Sequence, residues 1–290
     1  MQIIAEPRSM QQLAEEARRA GRSIGVVPTM GALHAGHLSL LRRCRTENAL
    51  AVMTLFVNPL QFDRKDDLAR YPRDQERDTQ LARDAGVDVI YAPTAEAMYP
   101  PGYATHVTVE GLTDRWEGAT RPGHFRGVAT VCAKLFTACR PHRAYFGQKD
   151  YQQTLVIRRL VADLDLGLEL VVLPTVREAD GLALSSRNAL LTPEARRQAV
   201  TISCALMAAQ AAVKGGARDA EHLQAALEAQ IRTAPMAEID YVAICNPDTL
   251  EPLTRIAQRA VALVAARFGS IRLIDNILLD SSSSDGVVRA

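Results

Sequence analysis

The sequence predicts an α/β protein in which a doubly wound parallel sheet is followed by a smaller α+β domain. Three observations carry this. From residue 1 to about 175, short apolar runs alternate with helix-length segments. "SIGVVP" precedes a helical pattern from Leu38 to Thr46, and "LAVMTLF" precedes one from Asp74 to Ala85. "VDVIYA" and "AYFG" continue the series, and a pattern from Tyr151 to Ala162 leads into "LELVVLP". Strands separated by helical crossovers pair in parallel, with helices on both faces. Second, the texture changes after "PTVREADGLALSSRN", where two helical patterns between 193 and 232 give way to three β-type runs. Third, 290 residues of 48% hydrophobic content are enough for two modest cores. Residues 1–176 are therefore expected to form a Rossmann-like domain and 177–280 an α+β domain. The stretch 281–290, "SSSSDGVVRA", reads as a disordered tail.

Individual segments support the outline. Gly127 to Cys139, "GVATVCAKLFTAC", is apolar nearly all round and reads as a buried helix. Thr192 is placed to cap a helix whose first residue, Pro193, needs no amide donor. The runs "EIDYVAI", "AVALVAARF" and "IRLIDNILL" are spaced by Asn246-Pro247-Asp248 and Gly269-Ser270, which are turn chemistry.

Composition narrows the partners. With 34 Lys and Arg against 33 Asp and Glu, the net charge of +1 offers no field for nucleic acid or an anionic membrane. RNA binding is further disfavoured by the lack of basic clusters interleaved with aromatics. A small-molecule ligand is expected instead. Five scattered cysteines (Cys44, Cys132, Cys139, Cys204 and Cys245), without a C-x-x-C pair, fit reduced thiols. "MQIIAEPRSM" lacks a signal-peptide pattern, and no apolar run approaches the roughly 20 residues of a membrane span. A cytoplasmic protein is expected.

Ligands of open parallel sheets bind at the carboxyl ends of the strands. Three unusual segments follow strands here: "PTMGALHAGH", "VNPLQF" and "GQKDYQQ". The first contains Gly31-x-x-x-x-Gly36, but His37-Leu38 stands where a P-loop needs Lys-Ser/Thr, and no strand is followed by G-x-G-x-x-G. His34 and His37 share one face of a first helical turn, and Gly36 between them would let a ligand approach the backbone. Polyphosphate is the natural guest of such donors, with a metal or a plain turn as alternatives. In "GQKD", Gly147 permits backbone approach, Lys149 suits phosphate and Asp150 suits ribose hydroxyls. Gln61 and Gln153 are amides with donor and acceptor atoms that suit the hydroxyls and carboxylate of a small polyhydroxy acid, though either alone reads as a surface residue. The charge run "DRKDDLARYPRDQERD" reads as a solvated loop and helix face, with a lid role for Tyr71 to Arg73 as the alternative, and His124 to Gly127 as a helix entry, with ordering of the pocket rim as the alternative.

"PTMGALHAGH" resembles the H-x-G-H signature of the HIGH-type nucleotidyltransferase superfamily, and its wording is similar to that of the pantothenate synthetase (pantoate–β-alanine ligase) family. The likeness continues in order through "FVNPLQF", "YPRD", "RPGHFRGVATVCAKLF", "YFGQKDYQQ" and "VREADGLALSSRN". The resemblance implies formation of an acyl adenylate from pantoate and ATP, then attack by the amine of β-alanine to give pantothenate and AMP. By the same resemblance ATP would lie against Met30, Gly31, Ala32, Leu33, His34, Ala35, Gly36 and His37. Gly147, Gln148, Lys149 and Asp150 would also line it, with Val176, Leu184, Ser185, Ser186 and Arg187. His34, His37, Lys149 and Arg187 would be catalytic, His37 as a proton donor. Gln61 and Gln153 would hold pantoate, with Gln61 also near β-alanine. Ser185 to Arg187 would close over the triphosphate like a KMSKS loop, and Leu184 stands where the family more often has Met. Mg²⁺ would bridge the ATP phosphates with no protein ligand assigned. The family also implies a homodimer. A nucleotidyltransferase that stops at a nucleotide-bound product, and a non-catalytic nucleotide-binding module, are the rival readings.

Overall fold

A computed structural model describes residues 1–62, 68–69 and 71–280. The expected tail, 281–290, lies outside them. The chain divides into two compact units. One comprises Met1–Gly147 and Gln152–Leu173; the other comprises Gln148–Tyr151 and the chain from Pro174 onward.

The first unit is built on six parallel strands: β1 (Gln2–Ile4), β2 (Ile24–Thr29), β3 (Leu50–Leu55), β4 (Val89–Tyr91), β5 (Arg143–Gly147) and β6 (Glu169–Leu173). Their order in the sheet is β1-β4-β3-β2-β5-β6. The chain winds one way from β2 through β3 to β4, and the other way from β5 to β6, so the direction reverses between β2 and β5. That reversal is where an open α/β sheet leaves a crevice at its carboxyl edge. The ladder there is short. β2 and β5 pair only at Gly25↔Arg143 and Val26↔Ala144, whereas β2 and β3 pair along all six positions from Ile24↔Leu50 to Thr29↔Leu55.

Side-chain alternation along the strands explains the double winding. Ile24 and Val26, Val52, and Ala144 and Phe146 face a core made with α1 (Pro7–Arg19), α6 (His124–Cys139) and α7 (Tyr151–Asp163). Val27, Ala51 and Met53, and Tyr145 face the other way, toward Leu40, Leu41 and Cys44 of α2 (Ala35–Glu47) and Ala82 of α3 (Gln75–Asp84). The expected buried helix is α6, twelve of whose sixteen residues are buried. Two short helices, α4 (Ala95–Met98) and α5 (Glu117–Thr120), lie in the connections. The opening β1–α1 pair was not read from the sequence. Its strand has three residues, and the inner face of its helix is Met10, Ala14 and Ala17.

The second unit carries an antiparallel meander, β7 (Ala237–Cys245), β8 (Arg259–Phe268) and β9 (Ile271–Asp280), with a bulge between Ile239 and Tyr241. Val242, Ile244, Ala260, Ala262, Val264 and Phe268 pack with Ile202, Leu206, Leu223 and Leu227 of α8 (Pro193–Lys214) and α9 (Ala220–Ile231). Thr192 caps α8 as expected, its side chain accepting the Ala195 N–H at 3.2 Å. Arg177 and the buried Asp275 form a bidentate pair at 2.6 and 3.0 Å.

Candidate active site

The β2–α2 loop turns through the left-handed region at Gly31 (φ 85°) and Ala32 (φ 52°). Such a turn exposes successive amide groups on one side, and a carboxylate takes them. Asp78, 1% exposed, accepts from Ala32 N–H at 2.7 Å and Leu33 N–H at 2.8 Å. Its neighbour Arg77 donates to the Leu33 carbonyl at 3.2 Å. A Cβ on Gly31 would lie 2.8 Å from an Asp78 oxygen, so Gly31 supplies both the turn and the room for its clamp. The charge run read as solvated therefore ends in a buried, working carboxylate. Two main-chain donors replace the water that burial removes.

The loop delivers His34 as the N-cap of α2, which begins at Ala35 rather than at Leu38. The Nδ1 atom of His34 accepts the Gly36 N–H at 3.2 Å, and the Nδ1 atom of His37 accepts the His34 N–H at 3.3 Å. Two imidazoles thus form a reciprocal capping box, a task usually given to Ser or Thr with Glu or Gln. Their centroids lie 4.1 Å apart. An Nδ1 that accepts an amide N–H carries no proton, which puts each ring's hydrogen on Nε2. Gly36 also has a packing role. A Cβ there would sit 2.9 Å from Cε1 of His34, so glycine makes room for the ring that caps the helix.

The β3 loop holds Gln61 by an Asn-Pro turn. Asn58, 1% exposed, donates through Nδ2 to Gln61 Oε1 (3.1 Å) and Gly127 O (3.1 Å). Its Oδ1 accepts from Leu60 N–H (3.3 Å) and from the Tyr99 hydroxyl (2.8 Å). Gln61 in turn donates from Nε2 to Met30 Sδ at 3.1 Å, which joins this loop to the β2 loop. The Gln61 carbonyl accepts from Arg121 at 3.2 Å and from His124 Nδ1 at 2.9 Å. A Cβ on Gly127 would meet the Leu60 carbonyl oxygen at 2.2 Å, so α6 reaches the turn only because this residue is glycine. His124 and Gly127 are thus a helix entry that also holds the Gln61 turn. Burial pushes the Tyr99 phenol well above its ordinary value, so it stays a donor at any working pH.

Gln153 is half-buried on α7, while its neighbour Gln152 is committed to the fold. Gln152 accepts from Glu117 N–H at 3.0 Å and donates to the Leu112 and Arg115 carbonyls at 2.7 and 2.9 Å.

In the second unit, Gln148–Asp150 form a 3-10 turn that directly follows β5. The buried Asn276 donates to the carbonyls of Gln148 (3.0 Å) and Lys149 (2.8 Å), fixing the backbone of the lysine. The segment bearing Ser185 and Arg187 is anchored at its base. Leu184 N–H donates to Val176 O at 3.0 Å, so these two positions, both expected to line ATP, are paired with each other. Arg196 grips Glu178 at 2.6 Å and Asp180 at 2.8 Å. Ser185 accepts the Arg187 N–H at 3.3 Å, and Ser186 and Arg187 are half-buried.

Asp78, Asn58, Tyr99 and Arg121 were missed by sequence reasoning. Only the Asn58-Pro59 turn dipeptide gave a signal; the others act through contacts distant in sequence. Among the described residues no group of three or more His, Cys, Asp or Glu could hold a metal, and no helix is long and apolar enough to cross a membrane.

A doubly wound sheet carrying paired imidazoles at the helix start beside its switch point defines a nucleotide-handling α/β enzyme. Comparison with known proteins gives the family. The pantoate-beta-alanine ligase family model matches residues 2–278. The pantothenate synthetase of Moorella thermoacetica is 54% identical over 97% of this chain and 99% of its own length. The crystal structure of pantothenate synthetase from Thermus thermophilus superposes with a TM-score of 0.90 at 49% identity, covering 96% of this chain and 99% of that one. A pantoate-beta-alanine ligase from Francisella tularensis, complexed with beta-gamma ATP and beta-alanine, superposes with a TM-score of 0.79 at 32% identity, covering 96% and 97%. The chain belongs to the pantoate–β-alanine ligase family.

Proposed function

We propose that this chain condenses pantoate with β-alanine at the expense of ATP, through a pantoyl adenylate, releasing pyrophosphate and AMP. The observation that carries the reading is the double-histidine cap at the carboxyl end of β2, in a chain of this family. The pantoate carboxylate is already ionised at neutral pH, so the first step needs aim and charge stabilisation rather than a base. Its oxygen attacks the α-phosphorus, and the bond to the pyrophosphate oxygen breaks. The amine of β-alanine then attacks the acyl carbon and expels AMP, the ammonium proton passing to solvent or to phosphate oxygens.

The chain's own groups divide this work. Met30 to His37, Gly147 to Asp150, Val176 and Leu184 to Arg187 line ATP; Gln61 and Gln153 hold pantoate, and Gln61 also serves β-alanine. Neutral His34 and His37 donate Nε2–H to the growing negative charge. Because an imidazolium at 37 would point a second N–H at the His34 amide, His37 acts here as a hydrogen-bond donor and keeps its proton. Lys149 and Arg187 supply mobile positive charge. Mg²⁺ would enter with the ATP phosphates, with no protein ligand assigned, and would supply charge neutralisation there. Reduced thiols suit a cytoplasmic enzyme, and the family suits a homodimer.

Exchange of labelled pyrophosphate into ATP tests the reading. It is expected only with pantoate present, and AMP release only after β-alanine is added. Exchange without pantoate, or none with it, rejects the proposal.

A further inference from the structure

We propose that Tyr99 is a positioning residue for the pantoate subsite, acting through Asn58 to fix which end of the Gln61 amide meets the substrate; this rests on Gln61 holding pantoate. The chain of bonds has one sense only. Asn58 makes two donor and two acceptor bonds, the full capacity of its amide used in one orientation. Turned over, Asn58 would set its NH₂ against the Leu60 N–H and its oxygen against the Gly127 carbonyl. The Tyr99 bond, at 2.8 Å, is the shorter of the two on Oδ1.

An Asn58 so held presents an N–H to Gln61, and an N–H selects the oxygen end of the Gln61 amide. Oε1 is therefore fixed on the Asn58 side and Nε2 on the Met30 side. Each end retains one further valence of known position, an N–H on Nε2 and a lone pair on Oε1. A polyhydroxy acid needs that much to be told apart from an analogue lacking a hydroxyl. The Tyr99 ring lies against the Phe56 ring at 6.1 Å and the Tyr103 ring at 5.0 Å, which places its oxygen, and its hydroxyl donates to the Asn58 oxygen that the Leu60 N–H and Gly127 carbonyl orient.

The test is Tyr99→Phe, which keeps the ring and removes the donor, assayed with ATP, pantoate and two pantoate analogues each lacking one hydroxyl. Pantoate KM is expected to rise about tenfold, and ATP KM to stay within about twofold. The preference for pantoate over at least one analogue is expected to narrow about fivefold. In a Gln61→Ala background the same substitution should change pantoate KM by less than about twofold, since the relay then has nothing to aim. Tyr99→Met, which lacks the donor in a different shape, should give the same split and stands in if Tyr99→Phe does not fold. Equal losses for ATP and pantoate, wild-type kinetics in the folded variant, or effects that multiply in the double variant would overturn the inference. Wild-type enzyme that releases no pyrophosphate with pantoate sinks the function itself, whereas an active wild type with an unshifted variant sinks only the relay.

Discussion

The His37 imidazole accepts the backbone N–H of His34 at 3.3 Å and the His34 imidazole that of Gly36 at 3.2 Å, so the two rings proposed to serve ATP are also the helix cap. The two roles are separable. His34→Asn retains a good capping acceptor but loses the Nε2–H. It should change stability by no more than about 0.5 kcal/mol while slowing pyrophosphate exchange about 10²- to 10³-fold. His34→Ala should lose about 1 kcal/mol in addition. Denaturant titrations beside the exchange assay check both, and an Asn variant with wild-type exchange would contradict the catalytic role.

Asp78→Asn turns one acceptor of the clamp into a donor, leaving the Ala32 or Leu33 amide facing an NH₂ group. A cost of about 1–3 kcal/mol is expected from the unpaired buried donor, with a raised KM for ATP. Urea unfolding and steady-state kinetics measure these. Unchanged stability would mean that the loop finds another acceptor.

Gly127→Ala places a methyl group against the Leu60 carbonyl, backbone to backbone, where no side-chain rotation relieves it. About 1–3 kcal/mol of stability should be lost. Because the Asn58–Gln61 turn must give way, pantoate KM should rise more than ATP KM. A variant with equal changes in both would place the displacement elsewhere.

His142 is predicted to tie stability to pH. Its Nδ1 atom accepts the Ile24 N–H at 2.9 Å. Burial, followed by the charges of Arg18 and Arg143, holds its pKa below the ordinary 6.5. Between the folded value and 6.5 the unfolded chain binds more protons, so stability rises with pH across that window. The contribution is complete above pH 6.5 and is lost as the pH falls below it. His142→Asn keeps an acceptor near the Nδ1 position without titrating. Between pH 7.5 and pH 5 the variant should lose less stability than the wild type, as read by denaturant midpoints at the two pH values; equal losses would remove His142 from the account.

Much of the fold and some of the site were legible in sequence, for physical reasons that differ by element. β2, β3 and β5 announce themselves because strands covered on both faces must be almost wholly apolar. The helix caps at Thr192 and the glycine-histidine loop are local chemistry, and local chemistry is written in consecutive residues. Asp78 was illegible because its burial depends on two amides 45 and 46 positions away, and nothing in a run of charges marks the member that turns inward. Gly36 was legible as a special position, but the ring two residues before it, which also needs the space, was not.

The four residues Gln148–Tyr151 belong to the second unit although β5 before them and α7 from Gln152 onward belong to the first. A polypeptide ending at Leu173 would keep Lys149 and Tyr151 yet discard Asn276 and Pro247, whose main-chain and side-chain grips secure them. The C-terminal region is therefore no detachable cassette. Swapping it between relatives means transplanting this short insert as well, or accepting an ammonium group on a tether with nothing to steady it.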